Sequence, residues 1–178
     1  MAYTSPATRS NGYVVGATQW NEFVNNHIWA NETTSSGRPF CRVHKGSHQL
    51  MAHATNTAVS WDANDLDPTG CHSTSVNPSR FTAPVAGWYR LDTNVRWEVN
   101  SSATRHAYIV ENGSGYLSAA DERGAIAIFD TGLGTLTHYA HLSAGGYVEV
   151  FGMQTSGGNL NCLGNGLSWA WFEWVGTY

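Results

Sequence analysis

The chain has 178 residues, 42% of them hydrophobic and only 12% charged, with 19 glycines, eight tryptophans, eight tyrosines and a net charge of −4. Low charge with a full aromatic complement excludes a disordered chain, an acidic balance with one lysine excludes a nucleic-acid footprint, and no apolar run approaches the roughly 18 residues of a membrane span. A compact domain of this length buries about 70% of its unfolded surface and folds without needing disulfides or metal.

Met1 to Pro6 has neither a basic nor an apolar stretch, so no signal peptide is expected and folding in a cytoplasm is the reading. Cys41, Cys71 and Cys162 are odd in number and lack ligand-like spacing. Scattered buried thiols suit them better than a disulfide framework, with one bridge as the alternative.

Thr18 to Asn31 places Trp20, Phe23, Val24, His27 and Ile28 at i, i+3, i+4, i+7 and i+8, which predicts a helix over about 18–31 with Thr18 as N-cap and Glu22 in the first turn. Three asparagines make it marginal alone. Its aromatic stripe either packs on its own domain or meets copies of itself or another protein. Glu32 to Gly37 reads as a linker, dividing the chain into an oligomerisation and anchoring segment, 1–37, and a head domain, 38–178.

From Arg38 onward the pattern is all β. The clearest strand is Tyr89–Val99, with Tyr89, Leu91, Thr93, Val95, Trp97 and Val99 on one face. Further strands are expected at Phe40–His44, Gln49–Ala54, Ala58–Trp61, Arg105–Glu111, Ala125–Asp130, Thr135–Leu142, Tyr147–Gln154 and Leu167–Val175, separated by Gly- and Asn-rich turns. That many short strands mean a β-sandwich or jelly roll.

In the run Asn77-Pro-Ser-Arg-Phe-Thr-Ala-Pro-Val-Ala-Gly-Trp-Tyr-Arg-Leu91, Phe81 enters the core, Pro84 and Gly87 bracket a turn, and Tyr89 and Leu91 return to the core. This run resembles the central motif of the complement-type globular head, a trimeric jelly roll related to tumour necrosis factor. Trp61-Asp62, Ala107 to Gly113, Leu142 to Val150 and Leu167 to Phe172 resemble further segments of that family in the same order. Gly146 stands where the family usually has Asp, and Trp171 where its closing strand usually has Gly. Ala7 to Asn26 resembles the N-terminal segment of tailed-phage structural proteins, with an Arg-containing start, a Gly-x-Val-Val turn and a short helix.

Ser168 sits in a Gly-x-Ser-x-Ala run close to a nucleophile elbow, but no His follows it, so a strand is the reading. His138 and His141 point to opposite faces of a strand. A trimer axis would instead repeat one His three times, with His138 and His106 as candidates. Asp62, Asp65 and Asp67 form an acidic run without the Gly and Glu of a helical calcium loop, so a solvated turn is the reading, with a calcium site at this oxygen spacing as the alternative. Trp169 and Trp171 lie on one face of the last strand and Phe172 and Trp174 on the other, which suits burial between the chain's own core and a neighbouring subunit and nominates Trp169, Trp171 and Trp174 for that interface. Sugar stacking on an exposed Trp is the rival.

The sequence thus reads as an all-β jelly-roll β-sandwich head preceded by a short helix-containing anchor. Its expected role is a non-enzymatic bacteriophage virion protein, a homotrimeric tail fibre or spike without a required cofactor. Its N-terminal segment would dock on other virion proteins, and loops such as Asp62–Val76 and Asn100–Thr104 would bind a host-surface glycan or protein. The alternative is a capsid decoration or head-fibre protein. A secreted lectin or cytokine-like ligand would need a signal sequence and paired cysteines.

Overall fold

The structure is a computed structural model that describes residues 16–31, 37–114, 117–125, 128–133 and 136–177. The Gly-x-Val-Val turn and most of the expected linker lie outside the described residues. In chain order the elements are helix α1 (Ala17–Asn31) and strands β1 (Phe40–His44), β2 (Gln49–Met51), β3 (Thr57–Ala58), β4 (Ala63–Leu66), β5 (Arg80–Thr82), β6 (Gly87–Asn94) and β7 (Arg96–Trp97), followed by β8 (Thr104–Glu111), β9 (Leu117–Gly124), β10 (Thr131–Gly132), β11 (Leu136–Leu142), β12 (Tyr147–Gln154), β13 (Leu160–Cys162) and β14 (Trp169–Gly176). They form a jelly-roll β-sandwich with one N-terminal helix. A first sheet runs β11-β6-β14-β1-β4, a second β10-β7-β13-β2, and a third β3-β12-β8-β9 with β5 also paired to β12. All strand pairs are antiparallel.

One core joins the three sheets. Tyr89 and Leu91 of β6, Phe172 of β14, Phe81 of β5, Ile109 of β8 and Trp97 of β7 are all buried in it, with Trp61 from the segment before β4. Tyr89 stacks on Phe172 at 4.7 Å between centroids and donates its hydroxyl to Val85 O at 2.7 Å. The ring thereby fills the core while its polar end closes the bend that begins at Pro84. Gly87 follows that bend with φ +151°, and a Cβ there would collide with the Trp174 indole and come within 2.7 Å of Gly176 O. Glycine at this position meets both a backbone and a packing requirement.

Several expectations are corrected. Tyr89–Val99 is not one strand: β6 ends at Asn94, and after Val95 the chain leaves the first sheet, so that β7 pairs with β10 and β13 of the second. The alternation survives the transfer, because Val95 and Trp97 remain buried, but Val99 is exposed. Of the strand expected at Ala125–Asp130, the described residues 125 and 128–130 are bend or irregular, and β9 lies earlier. Its run of Ala, Asp, Glu and Arg has little strand propensity, and pairing with β8 imposes the strand at a charged sheet edge.

The helix starts one residue earlier than predicted. Gly16, not Thr18, stands at the cap: its carbonyl accepts Trp20 N at 3.0 Å, and Gln19 Oε1 accepts Gly16 N at 3.1 Å, the reciprocal half of a capping box. Glu22 consequently falls beyond the first turn, which holds no acidic residue. Trp20 and Phe23 stack on one another yet remain 60% and 62% exposed, while Trp29, outside the predicted stripe, is buried edge-on against Trp174 at 4.9 Å. Trp29 O also accepts Arg38 N at 2.9 Å. The helix is therefore held at its C-terminal end, while Trp20, Phe23 and Val24 of its stripe are exposed and Ile28 is half-buried.

Gly87→Ala is expected to destabilise the chain by about 2–3 kcal/mol through overpacking and backbone strain. A urea-unfolding midpoint unchanged from wild type would refute this account of the motif.

Candidate functional site

The outward face of the first sheet is built from rows set by strand register. One row crosses Tyr139, Arg90, Glu173 and Phe40; the next crosses Thr137, Asp92, Trp171, Arg42 and Leu66; a third crosses Asn94, Trp169 and His44; and His141 lies beside Trp88 at the end. Trp88, Trp169 and Trp171 are half-buried, Phe40 stacks on Trp171 at 6.1 Å, and Tyr139 is 53% exposed. Charges on this face are matched in place. Arg90 Nη2 reaches Asp92 Oδ2 at 2.6 Å, Thr137 donates to Asp92 Oδ1 at 2.6 Å, and Arg42 and His44 both meet Asp65, at 3.3 and 2.7 Å. The bond and the charge of Asp92 raise the Arg90 guanidinium above its ordinary value. Aromatic surface with internally neutralised ions is the composition of a protein interface, because little charge remains to be desolvated.

Trp174 does not belong to that face. It points inward, packs against the core, and is covered by Trp29 of the same chain. The two axial histidine candidates also separate. His138 faces inward from β11 and pairs its Nε2 with Glu111 Oε1 at 2.7 Å, bridging to β8. His106 stands on the third sheet, bonded to Thr104 Oγ1 at 2.8 Å. Neither lies on the aromatic face.

The acidic run spans β4, with Asp62 just before it, Asp65 within it and Asp67 just after it, and its three carboxylates are engaged separately rather than gathered in a calcium loop. Asp62 accepts the amides of Gly46 and Ser47 at 2.6 and 2.9 Å, and Asp67 accepts those of Cys71 and His72 at 2.8 and 3.0 Å. Loss of water around Asp62 opposes its charge, but the Gly46 and Ser47 amides outweigh that and hold its carboxyl below its ordinary value. Each Asp thus engages a different segment, Asp65 meeting Arg42 and His44 of β1, and among the described residues the three do not gather as one group of close donors. Ser168, fully buried, accepts Arg96 N at 3.0 Å and is a structural hydroxyl.

Two residues that the sequence reading passed over organise one end of the sandwich. Arg105 and Gln154 face each other across β8 and β12, and both are fully buried. Arg105 donates to the carbonyls of Ser102 and Thr104 at 3.0 Å and of Asn100 at 3.2 Å; desolvation lowers its pKa. Gln154 donates to Met51 O and Gly158 O at 3.1 and 2.7 Å and accepts from Ser156 N at 2.8 Å. Gly157 N also donates to His53 Nδ1 at 3.0 Å. Polar loops 98–103 and 155–159 are thus fixed from beneath by this pair, and loop 52–56 is tied in through Ala54 N on the Gln154 carbonyl at 2.7 Å and through His53. Their signal was present in the sequence as polar residues at inward positions of two otherwise apolar strands.

No family model and no curated protein sequence matches the chain. Solved structures do. Murine APRIL at pH 8.0 superposes with a TM-score of 0.57 over 78% of this chain and 99% of its own, at 16% identity. Eiger TNF from S. frugiperda gives 0.56 over 79% and 96% at 15% identity, and the globular domain of the zebrafish complement 1qA protein gives 0.56 over 79% and 99% at 11% identity. The chain has the fold of the tumour-necrosis-factor and complement-type globular heads. In this jelly-roll head the aromatic face belongs to the sheet containing the first and last strands, and the Arg105–Gln154 loops lie at one end.

Replacing Arg105 with Lys is expected to free loop 98–104, since a single ammonium cannot fork to three carbonyls. Hydrogen exchange at Ser101–Thr104 should rise by at least about tenfold with the core still protected, on the footing that each lost buried bond is worth about 1–3 kcal/mol. Unchanged exchange would refute the assignment. A second prediction concerns His72, whose ring nitrogens lie 2.7 Å from Asn64 Oδ1 and 3.0 Å from Pro78 O. Burial lowers its pKa against the opposing influence of Pro78 and Asp67. The neutral ring donates from Nε2 to the carbonyl, and the Asn64 amide must then turn its nitrogen towards Nδ1. A depressed pKa contributes stability that is complete above the unfolded value of about 6.5 and is lost as pH falls through the folded value. Urea midpoints between pH 7.5 and 5 should accordingly fall more steeply for wild type than for His72→Gln; parallel profiles would reject this.

Proposed function

We propose that this chain is a non-enzymatic recognition protein that assembles as a homotrimer through the outward face of its first sheet. The carrying observation is the set of rows containing Trp88, Tyr139, Trp169 and Trp171, whose charges are already paired within the face. A central strand with apolar surface on both sides needs a second layer on each, and among the described residues only the inner one is supplied. Binding rather than catalysis is favoured because polar side chains suited to chemistry are spent on the fold: Ser168 on Arg96, His138 on Glu111 and Arg105 on backbone carbonyls.

In the finer reading the protein belongs to a bacteriophage virion. The segment that resembles tailed-phage structural proteins runs into α1, whose stripe of Trp20, Phe23 and Val24 is exposed while its other end is clamped to the head by Trp29. That arrangement suits an anchor that docks on other virion proteins and lets the head project. The loops over Arg105 and Gln154, rich in Ser, Asn and Gly, are the surface offered to a host glycan or protein. They include Asn100–Thr104, expected from sequence for this role, whereas the other expected loop, Asp62–Val76, is part strand and is buried at Cys71 and His72. Immunogold labelling of particles tests the location: gold on the tail supports a fibre or spike, and gold over the shell supports a capsid decoration protein.

The purified chain should scatter light with the mass of three copies. Trp171→Glu and Tyr139→Asp should each weaken association by about 2 kcal/mol or more, as loss of a central aromatic anchor does, with the β-rich circular dichroism retained. A monomeric wild type, or variants that stay trimeric, would exclude this face as the interface.

A further inference from the structure

Among the described residues one group of three metal-ligating side chains has donor atoms all within 4.8 Å of one another: Cys41, Asp67 and Cys71. Both cysteines are fully buried. We infer that these three side chains form a binding site for a thiophilic divalent cation such as zinc, pinning the loop after β4 to strand β1.

The loop is shaped to bring these donors together. In Asp67-Pro-Thr-Gly-Cys71 the backbone turns at Gly70, φ +70°, and the Asp67 carboxylate accepts the amides of Cys71 and His72. Thr69 ties the loop to β1, its Oγ1 accepting Phe40 N at 3.1 Å and donating to Phe40 O at 3.2 Å. Cys71 is thereby set facing Cys41, the next residue of β1. Donors around a tetrahedral zinc, with bonds of about 2.0–2.3 Å, lie about 3.5–3.8 Å apart, so the observed spread needs only small side-chain shifts.

The electrostatics point the same way. Three groups that become anionic on losing a proton share one pocket, an arrangement that a divalent cation relieves by replacing the thiol protons. Two sulfur donors select a zinc-like ion over calcium or magnesium, which take oxygen. Asp67 thus serves a different ion from the one its acidic neighbours suggested. Cys162 lies outside the cluster, with its sulfur 3.6 Å from Ser168 Oγ, and provides an internal control.

The full chain, expressed in cobalt-supplemented medium and purified under reducing conditions, tests this. Expected are about one cobalt per chain and a thiolate-to-cobalt charge-transfer band with tetrahedral visible absorption. Cys41→Ser and Cys71→Ser should each lose nine-tenths or more of the metal, roughly the effect of removing one of so few ligands, and Cys162→Ser should keep it. Wild-type protein without metal, a thiolate band that survives in Cys71→Ser, or an intact mass lower by two hydrogens with a Cys41–Cys71 crosslinked peptide would each overturn the assignment. If the serine variants do not fold, the wild-type and Cys162→Ser spectra decide, since a thiolate band retained without Cys162 leaves only Cys41 and Cys71 as its source.

Discussion

Strand β14 has apolar side chains on both faces, and the rest of the molecule is arranged around that constraint. Inward, Phe172 stacks on Tyr89 and Trp174 lies over Gly87, where any side chain would collide. Outward, Trp169 and Trp171 extend an aromatic surface across the sheet. Because β14 pairs with β1 on one side and β6 on the other, its two faces are each continued by neighbouring strands. The inner continuation becomes the core, and the outer one becomes a surface with paired ions and half-covered rings. Removing water from such a surface costs little, whereas leaving it exposed forgoes several large aromatic burials.

The same strand governs the helix. Trp29 docks edge-on against Trp174, so one end of α1 is fixed by the packing that fills the end of the core. Trp20 and Phe23 are then carried as an unpartnered pair on the head-bound helix. At the loop end of the sandwich the logic is polar instead: Arg105 and Gln154 stand where an apolar side chain would continue the core, and each satisfies several backbone groups of loops that cannot pair as strands. A rigid sandwich thus presents loops whose backbones are held from below, the usual division between scaffold and recognition surface.

Much of this was legible in the chain. Period-two alternation located β1 and β12 at their observed bounds, and β11 and β14 to within two residues, since one buried face repeats every second residue. The motif from Asn77 to Leu91 gave the right core residues because its bend and its returning strand are local. Strands β4 and β13 went unpredicted, being too short for alternation to show and created by their partners, and β2 and β3 were predicted only with shifted or overlong bounds. β9 was missed for a related reason, its pairing with β8 overriding a sequence of small and charged residues. The acidic run misled because spacing along the chain was taken for convergence in space. Trp29 escaped notice because it lies off the apolar stripe, on the side the head happens to contact.

The sequence by itself determined that this is an all-β sandwich with a helical appendage, which strands have one buried face, and that Gly87 and Tyr89 sit at a tight corner. These follow from local periodicity and backbone preference, which act over a few residues. Only the tertiary structure decided that the alternation from Tyr89 to Trp97 spans two sheets and that Trp174 belongs to the core while Trp171 does not. It also decided that Asp67 parts from its acidic neighbours to lie beside two cysteines, one of them 26 positions earlier in the chain. Those outcomes depend on which distant strand supplies the hydrogen-bonding partner, and that choice is made by packing the whole core at once.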